Sequence, residues 1–288
     1  MKRWFLFFSC LIMVFSAGCE AVSGRACPDF QASCVKSQQF DAVRLDFPVG
    51  GGKGFVILPT KPKADGSKPW LWLAPTFVHH PQPSKELPRD HHGWICRRLL
   101  ANGFYIAGID VGESYGSPDG RRLYSKFYEL VVREFGLFDK ACMLGQSRGG
   151  LMVYNWAVEN PRRVQCIGGI YPMCNLEHYL DAARIYSAYG MNQDQFGVCF
   201  HQHNPVDRLW SLARADIPIL HVHGDIDKAV PLEQNSAELV RRYKILGGRA
   251  AVVVVNGKGH EVCPEFMENQ ALVDFLISQG RNMPSEGQ

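Results

Sequence analysis

The chain has 288 residues, with 31 Lys and Arg against 28 Asp and Glu and a formal net charge of +3. That near balance gives no ground for a polyanionic or nucleic-acid partner. At 46% hydrophobic residues, the length suits one α/β domain with a large buried core, and no second domain, repeat or low-complexity tract is called for.

Met1-Lys2-Arg3 is a cationic cap on the apolar block Trp4 to Phe15, followed by the small residues Ser16-Ala17-Gly18. Residues 1–18 therefore read as a secretory signal, because the apolar block is shorter than the roughly 20 residues of a membrane span. Ser16-Ala17-Gly18-Cys19 also resembles the bacterial lipobox, which implies lipid attachment at Cys19 and a membrane anchor. Ser16 departs from that pattern, which usually has Leu, Val or Ile there, and the alternative is ordinary cleavage that releases the protein. Removing residues 1–18 leaves 270 residues and a charge of +1. Residues 19–39 read as an N-terminal linker in which Cys27 and Cys34 have the spacing of a local disulfide. Cys142 and Cys166 fall in apolar runs and read as small buried hydrophobes, and Cys174 is a candidate to pair with Cys199.

From Phe40 the pattern opens with a hairpin, Val43 to Phe47 and Gly54 to Leu58 around Gly50-Gly51-Gly52. Strands and helices then alternate: strand Trp70 to Ala74, helix Trp94 to Leu100 ended by Asn102-Gly103, strand Tyr105 to Ile109, helix Leu123 to Phe135 and strand Ala141 to Leu144. Helix Leu151 to Ala157, strands Cys166 to Ile170, Ile217 to Val222 and Ala251 to Val255, and helices Leu232 to Leu246 and Phe266 to Ser278 complete the series. Such alternation predicts a doubly wound, mostly parallel α/β sheet whose loops at the strands' carboxyl ends form the site. Residues 171–208 insert helical material, Leu176 to Tyr186 and Asn192 to Phe200, read as a lid. Its Tyr179, Tyr186, Tyr189 and Phe196 suit either an aromatic wall for substrate or plain core packing.

The chemistry centres on Gly145-Gln146-Ser147-Arg148-Gly149, a G-x-S-x-G between an apolar strand and a helix. Glycines on either side let the chain turn so sharply that the serine hydroxyl stands clear. His221-Val222-His223-Gly224-Asp225-Ile226-Asp227 places carboxylates past a later strand, and Asn256-Gly257-Lys258-Gly259-His260 places an imidazole past another. The order Ser, Asp, His is that of the α/β-hydrolases. Here the chain resembles that superfamily, and within it the prolyl-oligopeptidase-like and dienelactone-hydrolase-like esterases, over about Phe40 to Gln279. The resemblance implies an α/β-hydrolase fold over residues 40–288, a nucleophilic Ser147, His260 as base and Asp227 as its carboxylate partner. Asp225 and Glu113 are the competing acids.

An anionic tetrahedral intermediate needs two backbone donors, for which the resemblance implies the amide of Arg148 and one from Thr76 or Phe77. The Arg148 side chain has two readings. Gly145 to Gly150 also resembles the elbow of glucuronoyl esterases, which implies a cation for a substrate carboxylate; the other reading is an ion pair with Asp110 or Glu113. Tyr115 either lines the pocket or packs its loop. The loop Gly108 to Gly116 lacks G-x-G-x-x-G, and the paired histidines at 79–80, 91–92, 201/203 and 221/223 lack zinc-site spacing, so neither a cofactor nor a metal is expected. The expected activity is exported serine hydrolysis of a small-molecule or carbohydrate carboxylic ester. The alternatives are a peptidase, for which the chain is short of the propeller of the larger relatives, and a noncatalytic surface-binding lipoprotein.

Overall fold

The computed structural model describes residues 28–74, 87–177, 179 and 181–281. Among these residues nine strands form one sheet: β1 (Val35–Gln39), β2 (Ala42–Val49), β3 (Gly52–Ile57), β4 (Trp70–Ala74), β5 (Tyr105–Ile109), β6 (Ala141–Gln146), β7 (Val164–Ile170), β8 (Ile219–Gly224) and β9 (Ala250–Val255). Their spatial order is β1-β2-β3-β5-β4-β6-β7-β8-β9. Pairing is antiparallel from β1 through β3 to β5 and parallel from β5 to β9. β4 and β6 are buried along their whole length, as central parallel strands are when helices cover both faces.

The β2–β3 hairpin closes through Gly50 and Gly51, at φ 55° and 96°, between the paired Val49 and Gly52. A two-residue turn with two positive φ angles suits glycine and matches the twist of the strands it joins. On one face, the helix Gly149–Ala157 that follows Ser147 presses Trp156 onto Trp72 of β4, ring centroids 4.8 Å apart. Both indoles are fully buried, and burial of aromatic groups this large stabilises the fold by roughly 3 kcal/mol each. The opposite face is covered by helices Gly93–Ala101 and Gln270–Arg281, which share a second core with β5, β6 and β7.

Several boundaries differ from those read in the sequence. The segment read as a linker carries a helix, Pro28–Ser33, and edge strand β1, joined to β2 by backbone pairing with four of its five residues exposed. The helix expected from Leu123 begins at Pro118, because Ser117 caps it and Pro118 takes the first turn, and it ends at Gly136 with φ 63°. The helix expected over 232–246 opens as a π-helical turn, Glu233–Ala237, before the α-helix Glu238–Ile245. The last helix is split: Asn269 accepts from the Leu272 amide and restarts it at Gln270.

Cys174 and Cys199 do not pair. Cys174 is a free thiol in the main core, and Cys199, also free, faces the Gln195 and Phe196 carbonyls of its own helix. Cys34 is free as well, while its candidate partner Cys27 lies outside the described residues. Cys142 and Cys166 are buried, as expected of small apolar positions.

Within residues 171–208, the helices are Ala182–Tyr189, stopped by Gly190 at φ 63°, and Gln193–Cys199, started by a capping box between Asn192 and Gln195. The first begins six residues later than expected. Tyr189 and Phe196 belong to a small separate core with Tyr115, Leu151 and Met173. Tyr179, Tyr186 and Phe196 also line an open groove of about 800 Å³, so Phe196 serves both readings and Tyr189 only the packing one.

Candidate active site

β6 ends at Gln146, and the chain passes directly through Ser147 into the helix that begins at Gly149. Ser147 has φ 51°, a left-handed conformation that costs a non-glycine residue about 1–2 kcal/mol. Tertiary bonds hold it there: its amide donates to the Ile170 carbonyl of β7 at 3.0 Å, and its carbonyl accepts from the Met173 amide at 2.8 Å. A Cβ on Gly145 would stand 3.0 Å from Gly150 Cα, and one on Gly150 would stand 2.4 Å from the Met173 carbonyl. A side chain at Gly150 would therefore run into backbone and one at Gly145 would force the turn to give by a few tenths of an ångström, and the turn lifts the serine above the sheet.

Oγ of Ser147 lies 2.8 Å from Nε2 of His260, and Nδ1 of His260 lies 2.7 Å from Oδ2 of Asp227. β9 delivers the histidine and β8 the aspartate, on loops that meet only because the two strands are neighbours. The Asp227 side chain is fully buried, and its other oxygen accepts from the Ala229 and Val230 amides at 2.9 and 2.8 Å. Burial works against its charge. Hydrogen bonds from His223, His260 and the Val230 amide outweigh that cost and hold the carboxyl well below the usual carboxylate range. An ionised Asp227 can only accept, so the proton of the neutral imidazole sits on Nδ1 and Nε2 is left to accept from the serine hydroxyl.

The rival acids are engaged elsewhere. Asp225 is exposed and accepts from the Gly257 amide at 2.7 Å, tying the β8 and β9 loops together. Glu113 takes the Arg148 guanidinium at 3.2 Å. Burial raises the Glu113 carboxyl pKa, and the Arg148 charge partly offsets this. One of the two readings of Arg148, the ion pair with Glu113, is present. The same guanidinium lies 5.9 Å from the Tyr115 ring centroid. Tyr115 is only 2% exposed, with its hydroxyl on Tyr179 and its own φ at 49°. It packs the loop under residues 171–208 and presents no open wall. Thr76, Phe77 and Cys19 lie outside the described residues.

Residues 127–277, just over half of the chain, match the model of the prolyl oligopeptidase family. The chain belongs to that family. It is a serine hydrolase with the α/β-hydrolase fold, in a family whose structural neighbours include esterases and peptidases. It is similar in structure to an S-formylglutathione hydrolase from Agrobacterium tumefaciens, with TM-score 0.67, 13% identity, 87% of this chain covered and 99% of that one. A puromycin-hydrolyzing peptidase from Mycobacterium tuberculosis gives TM-score 0.61 at 14% identity, over 82% of this chain but 39% of that one. A cold-adapted esterase from an Arctic intertidal metagenomic library gives 0.58 at 14%, over 85% and 97%. At such identities the likeness is one of fold. No curated protein matches the chain in sequence.

Three groups around this serine hydrolase site escape motif reading. Tyr171, at φ 35°, lays its ring against His260 with centroids 4.5 Å apart. Its hydroxyl accepts from Gln146 Nε2 at 2.7 Å, and Gln146 Oε1 is 2.7 Å from Nε2 of buried His92. Because the Arg89 amide donates to His92 Nδ1 at 3.1 Å, His92 must donate through Nε2, which fixes the Gln146 amide and so the tyrosine. No residue spacing announces this chain, since its members come from separate loops; the pairing of His91 with His92 was the one visible hint.

Proposed function

We propose that the protein is an exported carboxylic ester hydrolase that works through an acyl-enzyme on Ser147. The reading rests on one observation: three side chains separated by 113 and 33 residues stand in a single line of hydrogen bonds. Ser147 Oγ attacks the ester carbonyl while its proton passes to His260 Nε2. Asp227 remains ionised and stabilises the imidazolium. The carbonyl oxygen becomes an oxyanion received by the Arg148 amide and by an amide from Thr76 or Phe77, each donor contributing about 3 kcal/mol. As the C–O bond breaks, His260 returns the proton to the departing alcohol. Water then repeats the sequence on the acyl-serine, which frees the acid and restores the hydroxyl.

Both readings have neighbours of the same fold, an S-formylglutathione hydrolase and a cold-adapted esterase for the ester one and a puromycin-hydrolyzing peptidase for the other. The groove lined by Tyr179, Tyr186 and Phe196 offers apolar surface for the substrate's larger half, a small-molecule or carbohydrate ester. A panel of p-nitrophenyl esters, methyl glucuronate esters and peptide amides ranks these options. Turnover of at least one ester class well above the amides is expected, and predominant amide cleavage would overturn the assignment. A folded protein inert to all of them would favour the noncatalytic binding reading.

Export and anchoring are proposed from residues 1–19 alone. Mass spectrometry of membrane-fraction protein should find a mature chain that begins at diacylglyceryl-Cys19; a soluble, unmodified mature chain excludes the anchor.

A further inference from the structure

We infer that His223 and Ser236 are positioning residues for Asp227, held by a buried relay of four side chains that ties the acid loop to the helix behind the nucleophile. The inference rests on the proposed pairing of Asp227 with His260 in catalysis. The alternation of β8 puts His221 and His223 on one face of the strand, and neither is exposed to solvent. Burying two imidazoles is costly unless every ring nitrogen finds a partner, and all four do. His221 Nε2 meets the Tyr154 hydroxyl at 2.6 Å, and His221 Nδ1 meets Ser236 Oγ at 2.8 Å. His223 Nδ1 meets the same Oγ at 2.7 Å, and His223 Nε2 meets the Val230 carbonyl at 2.7 Å with Asp227 Oδ2 at 3.5 Å.

The ends of the relay dictate its proton order. A carbonyl only accepts, so a neutral His223 donates through Nε2 and takes the Ser236 proton at Nδ1. Ser236 must then accept from His221 Nδ1, and His221 Nε2 must accept from Tyr154. Burial, and after it the neighbouring His223, push the His221 imidazole down to about 3, in keeping with a neutral ring. At its far end the relay grips Val230 by the carbonyl while the Val230 amide donates to Asp227 Oδ1. His223 thus constrains the carboxylate on both oxygens, one across 3.5 Å and one through Val230.

Ser236 reaches both rings because it sits in the π-helical turn Glu233–Ala237, where the Ala237 amide bonds back to the Leu232 carbonyl at 3.0 Å. A π turn advances the register by one residue relative to an α-helix, and such turns gather at functional sites. Its neighbour Asn235 accepts from the Cys174 and Asn175 amides at 3.1 Å each, and Asn175 donates to the Gln234 carbonyl at 3.0 Å. The turn is therefore clamped from the start of the 171–208 segment and cannot relax away from the histidines.

The test compares His223→Leu with His223→Gln on p-nitrophenyl acetate, with melting curves to establish that each is folded. Glutamine keeps a donor near the Nε2 position and leucine does not. We expect His223→Leu to lower kcat about 100-fold with KM within about twofold, as a misplaced reacting group does, and His223→Gln to recover most of that loss. A purely structural histidine would lower the melting temperature and leave kcat of the folded fraction unchanged. Wild-type kcat in folded His223→Leu, or no recovery in folded His223→Gln, overturns the inference. Should His223→Leu fail to fold, Ser236→Ala takes its place: a kcat fall of about tenfold at unchanged KM supports the relay, and an unchanged kcat refutes it. If the ester reading itself is wrong, wild-type protein is already inert; if only the relay is wrong, wild type turns over and Asp227→Asn still abolishes it.

Discussion

Replacing Ser147 by alanine is expected to lower kcat on an ester substrate by about a millionfold, the scale seen when a serine hydrolase loses its nucleophile outright. The substitution deletes one oxygen, the one that His260 Nε2 approaches at 2.8 Å, and leaves the rest of the turn in place. The bonds to the Ile170 carbonyl and the Met173 amide are backbone bonds. Alanine bears the same left-handed conformation at similar cost, so the melting temperature should stay close to that of wild type. Whatever rate remains would come from binding and from oxyanion donors. A folded Ser147→Ala that keeps more than a hundredth of wild-type kcat would mean that another group attacks the substrate.

Asp227→Asn is expected to cost about 10⁴ in kcat with little change in KM. The two backbone amides at Ala229 and Val230 decide how the new side chain lies, because they can only donate and already point at one oxygen. The asparagine oxygen must take that place, which turns its NH₂ group toward His260 Nδ1. Nδ1 is then forced to accept, the ring proton moves to Nε2, and Nε2 can no longer take the proton of Ser147. The variant is expected to stay folded, because the Ala229 and Val230 amides keep their acceptor and His223 Nε2 still donates to the Val230 carbonyl. Loss of less than tenfold would show that Asp227 does not govern the imidazole tautomer.

Where local chemistry decides the outcome, the sequence was readable. Trp70 to Ala74 and Ala141 to Leu144 are apolar on both faces, and they emerge within buried central strands. The Gly145 to Gly150 turn admits few conformations, which is why its strand and helix could be placed around Ser147. The choice of Asp227 over Asp225 depended on a likeness to relatives, and the physical reason for it, capture of Asp225 by the Gly257 amide, is a loop contact that spacing does not reveal. β1 was missed because its exposed, mostly polar side chains carry no periodic signal and only the backbone of β2 makes it a strand. The early start of the helix at Pro118 had a signal in Ser117-Pro118, outweighed by the apolar period that begins at Leu123. The π turn, the Tyr154 to His223 relay and the His92 to Tyr171 chain all depend on tertiary proximity. Nothing in the spacing of His221 and His223 reveals the hydroxyl and carbonyl partners that the fold gives them.

The most direct measurement is peptide mapping of the folded wild-type protein after reaction with a fluorophosphonate probe. A single phosphonyl adduct on Ser147, absent from Ser147→Ala and strongly slowed in Asp227→Asn, is the expected result. A folded wild type that takes up no label, or takes it up on a different residue, would contradict the assignment of Ser147 as the nucleophile.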